Sequence, residues 1–341
     1  MNNFLHKSKS LFFESISECS LWLNKQGFRI SPASVEKDYW VCLFLSEFSK
    51  TPYSKDIIFG GGTALLKAHH LINRFSEDVD FCSLNTGKTK TQQEKFTWLA
   101  FDTLKSIVED IFSLSTNDFK QTRSHCFMNI NYSSVCEEQT GLKKHLEMEV
   151  LVSPLRYTDN VTEQAKVQSF VGEFLEKIDR KDLSVQFNLV PISILVVKPE
   201  YTLIDKIIRI SRLGTEDEYV LKISNCARDI YDITTIMRDK KYENFLRGES
   251  FFDYAMKKIE DDNKRYSILT PDVLSQSKIF TQTKDILNSI TFLNACKSMQ
   301  EHLLFKPMDL PTGENFIQTF SIIANAIKNL AIKQKAGQCN I

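Results

Sequence analysis

The sequence predicts an α/β fold, in the α+β sense, with strands confined to residues 1–199 and helices alone over 200–341. Three observations carry this expectation. The apolar run Ile57-Ile58-Phe59 is cut by Gly60-Gly61-Gly62 and followed by a helical pattern from Thr63. Asp78-Val79-Asp80-Phe81 alternates acidic and apolar residues, the period of a strand with one buried face. From Tyr201 onward the two-residue period disappears and apolar residues recur at helical spacing. The chain is therefore expected to form two domains that meet near Pro199.

Over residues 8–26, Leu11, Phe12, Ile16, Cys19 and Leu23 share a helix face, and Gly27 stands where a helix commonly ends. Ser31-Pro32 opens a second helix, because proline is tolerated in a first turn. It runs to Lys50 with Val35, Tyr39, Cys42, Leu43 and Phe48 as its apolar stripe. After the glycine turn, Leu65, Leu66 and Ala68 continue a helix toward Leu71. A polar linker over Asn85–Glu94 leads to a helix over 95–112. Further strands are expected at Phe127–Tyr132, His145–Val152, Val185–Val190 and Ile194–Val197. Helices are expected at 201–213, 222–239, 242–262, 281–300 and 314–333.

Composition narrows the class. A chain of 341 residues suits two domains of about 100–200 residues each. The 43 Lys+Arg balance 43 Asp+Glu, and 42% of residues are hydrophobic. That excludes a disordered chain, a fibrous repeat and a uniformly basic chain, and leaves room for a local basic surface. The 25 Phe against 11 Gly point to an aromatic core and economical loops. No apolar run is long enough to span a bilayer, so no membrane partner is expected. Met1–Lys9 lacks the apolar segment of a secretory signal. The eight cysteines are scattered without a Cys-x-x-Cys pair, which fits reduced thiols in a cytoplasmic protein.

The stretch from Phe59 to Phe81 carries the chemistry. Glycines let the main chain approach a ligand, and a helix start presents free N–H groups suited to phosphate. Alone, such a turn is a weak signal. Asp78 and Asp80 add specificity, because residues two apart on a strand point to one face. Two carboxylates held together repel, and a divalent cation that bridges them removes the repulsion. Mg²⁺ fits, since it binds through one or two carboxylates plus substrate phosphates. Glu147 and Glu149, again two apart, offer a third carboxylate. Glu149 is favoured because the more apolar, strand-like run follows it. In two-metal chemistry one ion activates the attacking hydroxyl and the other stabilises the leaving pyrophosphate.

These residues resemble a known family. Phe59-Gly60-Gly61-Gly62-Thr63-Ala64-Leu65, followed by Arg74-Phe75-Ser76-Glu77-Asp78-Val79-Asp80-Phe81, is similar to the first motif of the AbiEii/AbiGii-type nucleotidyltransferase toxins. That family is a branch of the DNA polymerase β-like nucleotidyltransferase superfamily. Thr63 stands where the superfamily usually has serine, and the interval from Thr63 to Asp78 is longer than its common spacing. Val35-Glu36-Lys37-Asp38-Tyr39-Trp40 resembles the family's N-terminal helix signature. Tyr201-Thr202-Leu203-Ile204-Asp205-Lys206 and Ala227-Arg228-Asp229-Ile230-Tyr231-Asp232 resemble two later segments. Residues 240–341 match no motif.

The resemblance implies a nucleotidyltransferase core of mixed β-sheet flanked by helices, with a helical C-terminal lobe contributing to the same cleft. It implies a nucleoside triphosphate donor and Mg²⁺ as cofactor. Some members modify the 3′ end of tRNA and block aminoacylation, and a cognate antitoxin need not form a tight complex with the toxin. A serine placed like Ser76 is a modification site in some members. Asp78 and Asp80 then hold metal with Glu149, while Gly61, Gly62, Thr63 and Ser76 bind nucleotide.

Lys206 and Arg209 share a helix face with Arg212 slightly offset, which suits a triphosphate. Lys206 is the phosphate-neutralising cation. Asp229 matches an essential family residue and either orients Lys206 or contacts a substrate. Asp232 is expected to be structural, within i,i+4 reach of Arg228. Lys143-Lys144 is read as a solvated pair or an RNA contact, and His69 and His70 as surface or packing residues. Two other classes stay open. One is a nucleotide-binding regulator without transfer, and the other a transferase acting on a protein or small-molecule hydroxyl.

Overall fold

The computed structural model describes residues 3–85, 88–112, 114–122, 125–137, 141–156, 160–264 and 269–338. The chain divides into two compact units, Met1–Lys198 and Pro199–Ile341. Within the described residues no helix is long and apolar enough to cross a membrane.

The first unit opens with helices α1 (Lys9–Lys25) and α2 (Pro32–Ser49). The Ser31 side chain accepts the Ser34 N–H and caps α2, with Pro32 in its first turn. Strand β1 (Ile57–Gly60) leads into the short helix α3 (Gly61–Lys67) and then β2 (Val79–Asn85). Helix α4 (Lys90–Ser106) starts at a Thr89–Gln92 capping box and continues in a wider turn over Ile107–Ile111. Strands β3 (Ser115–Gln121), β4 (His125–Asn131), β5 (Leu146–Arg156) and β6 (Thr162–Val167) follow. Helices α5 (Phe170–Lys177) and α6 (Lys181–Gln186) precede β7 (Ile192–Val197).

The seven strands form one mixed sheet in the order β3-β4-β5-β2-β1-β7-β6. β2 runs parallel to β5 and antiparallel to β1. Val79 and Phe81 of β2 are buried. Phe81 meets the rings of Phe48 at 4.7 Å and Phe44 at 6.2 Å, which sets α2 against that face of the sheet. Phe81 of β2 thus belongs to the aromatic core foreseen from composition, and a further ring cluster gathers Phe12, Tyr39, Trp40 and Phe112. Cys19, Cys42, Cys126, Cys226 and Cys296 are buried free thiols.

The expected strand over Val185–Val190 is not formed. α6 occupies Lys181–Gln186, and Asn188 then turns the chain in a left-handed conformation. Phe187 and Leu189 are buried on either side of that turn, so their two-residue spacing imitates a strand. Two strands went unforeseen, β3 and β6. They occupy the two edges of the sheet, and their sequences, STNDFKQ and TEQAKV, lack an apolar face. The linker expected over Asn85–Glu94 includes residues outside those described, and α4 already begins at Lys90.

The second unit is helical throughout its described residues. It comprises α7 (Pro199–Leu213), α8 (Tyr219–Ser224), α9 (Ala227–Ile236), α10 (Lys240–Phe245) and α11 (Glu249–Asp262). α12 (Pro271–Ser275), α13 (Lys278–Thr281), α14 (Thr283–Leu287), α15 (Ile290–His302) and α16 (Gly313–Gln338) complete it. α7 packs on α9 and α11, burying Leu203, Ile204, Ile207, Ile208 and Ile210. Three of the long helices expected here are broken into shorter ones, 222–239 at Asn225–Cys226, 242–262 at Leu246–Gly248, and 281–300 at Asn288–Ser289.

Candidate active site

β1 ends in Gly60, which pairs with Asp80 of β2. The next residue, Gly61, has φ +67°, and a Cβ there would stand 1.9 Å from the Asp80 carboxylate oxygen Oδ2. A Cβ on Gly62 would meet Ser76 Oγ at 2.9 Å. Gly61 is required there by its positive φ and by the Asp80 carboxylate against it, while a Cβ on Gly62 would make Ser76 Oγ shift. Thr63 is buried, and its hydroxyl donates to the Asp78 carbonyl at 2.5 Å with Ser76 Oγ at 3.0 Å. That hydroxyl faces inward and braces Ser76–Asp78 against the first turn of α3.

The β2–β5 register sets Asp80 beside Glu149 and Val79 beside Met148, so Glu147 follows beside Asp78. Paired residues on parallel strands share a face. Val79, Phe81, Met148 and Val150 face the core, which leaves Asp78, Asp80, Glu147 and Glu149 together on the other face, all part-exposed. Lys143, on the β4–β5 connection, places Nζ 2.9 Å from Asp78 Oδ1 and also donates to Glu147. Burial raises the Glu147 pKa, but the Lys143 ammonium and His145 outweigh it and hold the carboxyl below its usual range. Burial likewise lowers the Lys143 pKa, and Asp78 with Glu147 carries it above the usual value. His125 Nε2 lies 3.6 Å from Glu149 Oε2.

Helix α2 fixes the surroundings of this face. It is buried from Ser34 to Phe48, so its charged residues need partners inside the protein. Glu36 accepts from Ser134 Oγ at 2.5 Å and the Val135 N–H at 2.9 Å. Lys37 pairs with Glu77 at 2.5 Å and donates to the His145 carbonyl at 3.0 Å. Asp38 pairs with Lys67 at 2.8 Å and accepts the Phe170 N–H at 2.6 Å. Three consecutive residues thus tie five separate segments to one helix, at Lys67, Glu77, Ser134–Val135, His145 and Phe170.

In the second unit, Lys206 of α7 lies 2.5 Å from Asp229 Oδ1 and 3.0 Å from Asp232 Oδ2, both on α9. Arg209 reaches Asp229 Oδ2 at 3.1 Å and is 57% exposed. Arg212 turns aside to Glu216 at 2.5 Å. Asp232, expected as a partner of Arg228, is wholly buried on Lys206.

The structure therefore brings together Gly61, Gly62, Thr63, Ser76, Asp78, Asp80 and Glu149 in the first unit. Lys206, Arg209 and Asp229 are brought together in the second. Sequence reasoning missed Lys143 as a member of the acidic face, since its neighbour Lys144 made the pair look like solvated surface. His69 is a packing residue, as expected, with Nε2 2.9 Å from the Val197 carbonyl.

A metal fits the acidic face by its donor set. All four side chains offer hard carboxylate oxygens, and the Lys143 ammonium stands as a cation between Asp78 and Glu147. Among the described residues no three His, Cys, Asp or Glu side chains converge as a ready-made cage.

The structure is similar to MenT4, a nucleotidyltransferase toxin from Mycobacterium tuberculosis H37Rv. The identity is 12% and the TM-score 0.41, covering 95% of this chain and 93% of that one. No curated protein sequence matches the chain. The family model described as nucleotidyl transferase AbiEii toxin, type IV TA system, matches residues 43–307. Its span runs from α2 through the glycine turn, the acidic face and the Lys206 cluster, and on past the last recognisable motif. On that match the chain belongs to the AbiEii nucleotidyl transferase toxin family of type IV toxin–antitoxin systems.

Proposed function

We propose that this nucleotidyltransferase moves a nucleoside monophosphate from a nucleoside triphosphate to a hydroxyl of RNA, the 3′ end of tRNA being the acceptor. It acts in the cytoplasm, and a cognate antitoxin opposes it without an obligatory tight complex. The observation that carries this reading is the Gly61–Asp80 contact. It packs a main-chain turn suited to phosphate directly on an aspartate of a four-carboxylate face.

The backbone N–H groups of Gly61, Gly62 and Thr63 line the triphosphate, with Ser76 beside them. Asp78 and Asp80, assisted by Glu149, would hold Mg²⁺, which neutralises phosphate charge and makes the acceptor hydroxyl a better nucleophile. In the second unit Lys206, with Arg209 beside it, offers the point charge and the planar donor that phosphate groups favour. Asp229 holds Lys206 in place. The acceptor hydroxyl loses its proton to solvent as its oxygen forms a bond to the α-phosphorus, the α–β phosphoanhydride bond breaks, and pyrophosphate leaves with the electron pair. Catalysis is then chiefly positioning and electrostatic stabilisation.

The test is incubation with total RNA and total protein, using triphosphates labelled at the α- or the γ-phosphate. The expected result is α-label in RNA of tRNA size, none from γ-label, and loss of transfer in Asp80→Asn. Label entering protein or small molecules instead, or no transfer at all, would overturn the reading.

A further inference from the structure

Lys143 has no part in the reaction as set out above, yet its ammonium is held on the acidic face by two carboxylates. Its ammonium joins Asp78 to Glu147, and so ties β2 to β5 at the end where the acidic face begins. Its backbone is held as well. The Lys143 N–H donates to Glu77 Oε2 at 3.1 Å, and the same oxygen takes the Lys37 ammonium at 2.5 Å. Lys37 also holds the His145 carbonyl, two residues on. One buried ion pair therefore anchors the segment on both sides of Lys143, while the Lys143 side chain itself remains 31% exposed.

We propose that Lys143 is a tethered counter-ion of the acidic face, neutralising Asp78 and Glu147 in the absence of a divalent cation and giving up its place when one binds. This rests on the reading of Asp78 and Asp80 as metal ligands. The physical case is an exchange of cations. Carboxylates on neighbouring strands repel, and an ammonium between them removes that repulsion. A lysine is a point charge on a flexible stem, so it can leave toward solvent without disturbing a backbone that Glu77 continues to hold. A divalent ion brings twice the charge and closer coordination, and so displaces it. The fold then keeps its acidic face assembled before metal arrives, and the metal affinity is lower than four bare carboxylates would give.

The test is Mn²⁺ binding to the full-length wild type, Lys143→Met, Lys143→Arg and Asp80→Asn proteins, followed by titration calorimetry and by thermal unfolding with and without chelator. Lys143→Met is expected to bind Mn²⁺ about tenfold more tightly than wild type, because its competitor is gone. Lys143→Arg is expected to bind as wild type does. In chelator Lys143→Met should melt below wild type, and Mn²⁺ should raise its melting temperature by more. An affinity unchanged or weakened in Lys143→Met, while Asp80→Asn abolishes wild-type binding, overturns the counter-ion role and leaves the metal reading standing. Absence of Mn²⁺ binding in wild type and Lys143→Met alike overturns both.

Discussion

Lys37 and Glu77 meet at 2.5 Å with each side chain only 2% exposed, one residue before Asp78 in the chain. The pair joins α2 to the approach of β2, and through the Lys143 N–H to the β4–β5 connection. Removing the cation alone leaves a buried carboxylate without compensation. Lys37→Met is therefore expected to destabilise the first unit by about 3–5 kcal/mol, whereas Lys37→Met with Glu77→Gln recovers much of that loss. Urea denaturation of the two variants beside wild type checks the order.

Gly61→Ala forces a Cβ into the space of Asp80 Oδ2 at a backbone angle that alanine rarely adopts. The expected outcome is a folded protein with its acidic face displaced. Transfer should fall by about 100-fold or more, since a shift near 1 Å in reacting groups costs that much. Circular dichroism and the α-label transfer assay report the two halves of this prediction.

Asp229 and Asp232 both hold Lys206 but differ in surroundings. Asp232 is wholly buried, while Asp229 is 10% exposed and also meets Arg209. Asp229→Asn should abolish most transfer with a small change in melting temperature, because Lys206 keeps Asp232. Lys206→Met strips both carboxylates of their shared cation and should cost stability as well, about 3 kcal/mol or more. Paired activity and melting measurements separate a loss of chemistry from a loss of fold.

His6 provides a pH dependence. Burial, with a smaller contribution from Lys7, lowers its pKa to about 4. Tyr39 Oη accepts the His6 backbone N–H at 3.3 Å and lies 2.7 Å from Nδ1, which holds the ring in its buried place. The unfolded chain takes up a proton near pH 6.5 and the folded protein only near pH 4. Stability from this group is thus complete above pH 6.5 and falls as the pH drops through that window. The loss expected is about 1–2 kcal/mol after allowance for partial exposure. His6→Gln should flatten the curve of unfolding free energy between pH 4 and 6.5.

The unit from β1 through α3 to β2 was legible because its signals are local. Glycines at a turn and alternation along a strand are both read within a few residues. The edge strands β3 and β6 were not, since an edge strand with little burial has no reason to alternate. Val185–Val190 misled for the opposite reason, its spacing arising from a turn that buries Phe187 and Leu189. In the helical unit the apolar stripes located the helices but not their breaks, because a stripe continues across a short turn.

Residue type and spacing were enough to establish the α/β class, the helical second half and the motif by which the family is recognised. The glycines, the two aspartates and Lys206 with Asp229 were candidates picked out by residue type and spacing. Folding alone decided which charges meet. Lys143 stands 65 residues from Asp78 in the chain, and Lys37 stands 40 from Glu77. Arg228 and Asp232 looked like partners at i,i+4, yet burial of Asp232 against α7 gave it to Lys206. Pairing between distant charges is settled by which strands lie side by side and which helices bury them. A linear sequence carries the residue types, while neighbours and desolvation arise only when the chain packs.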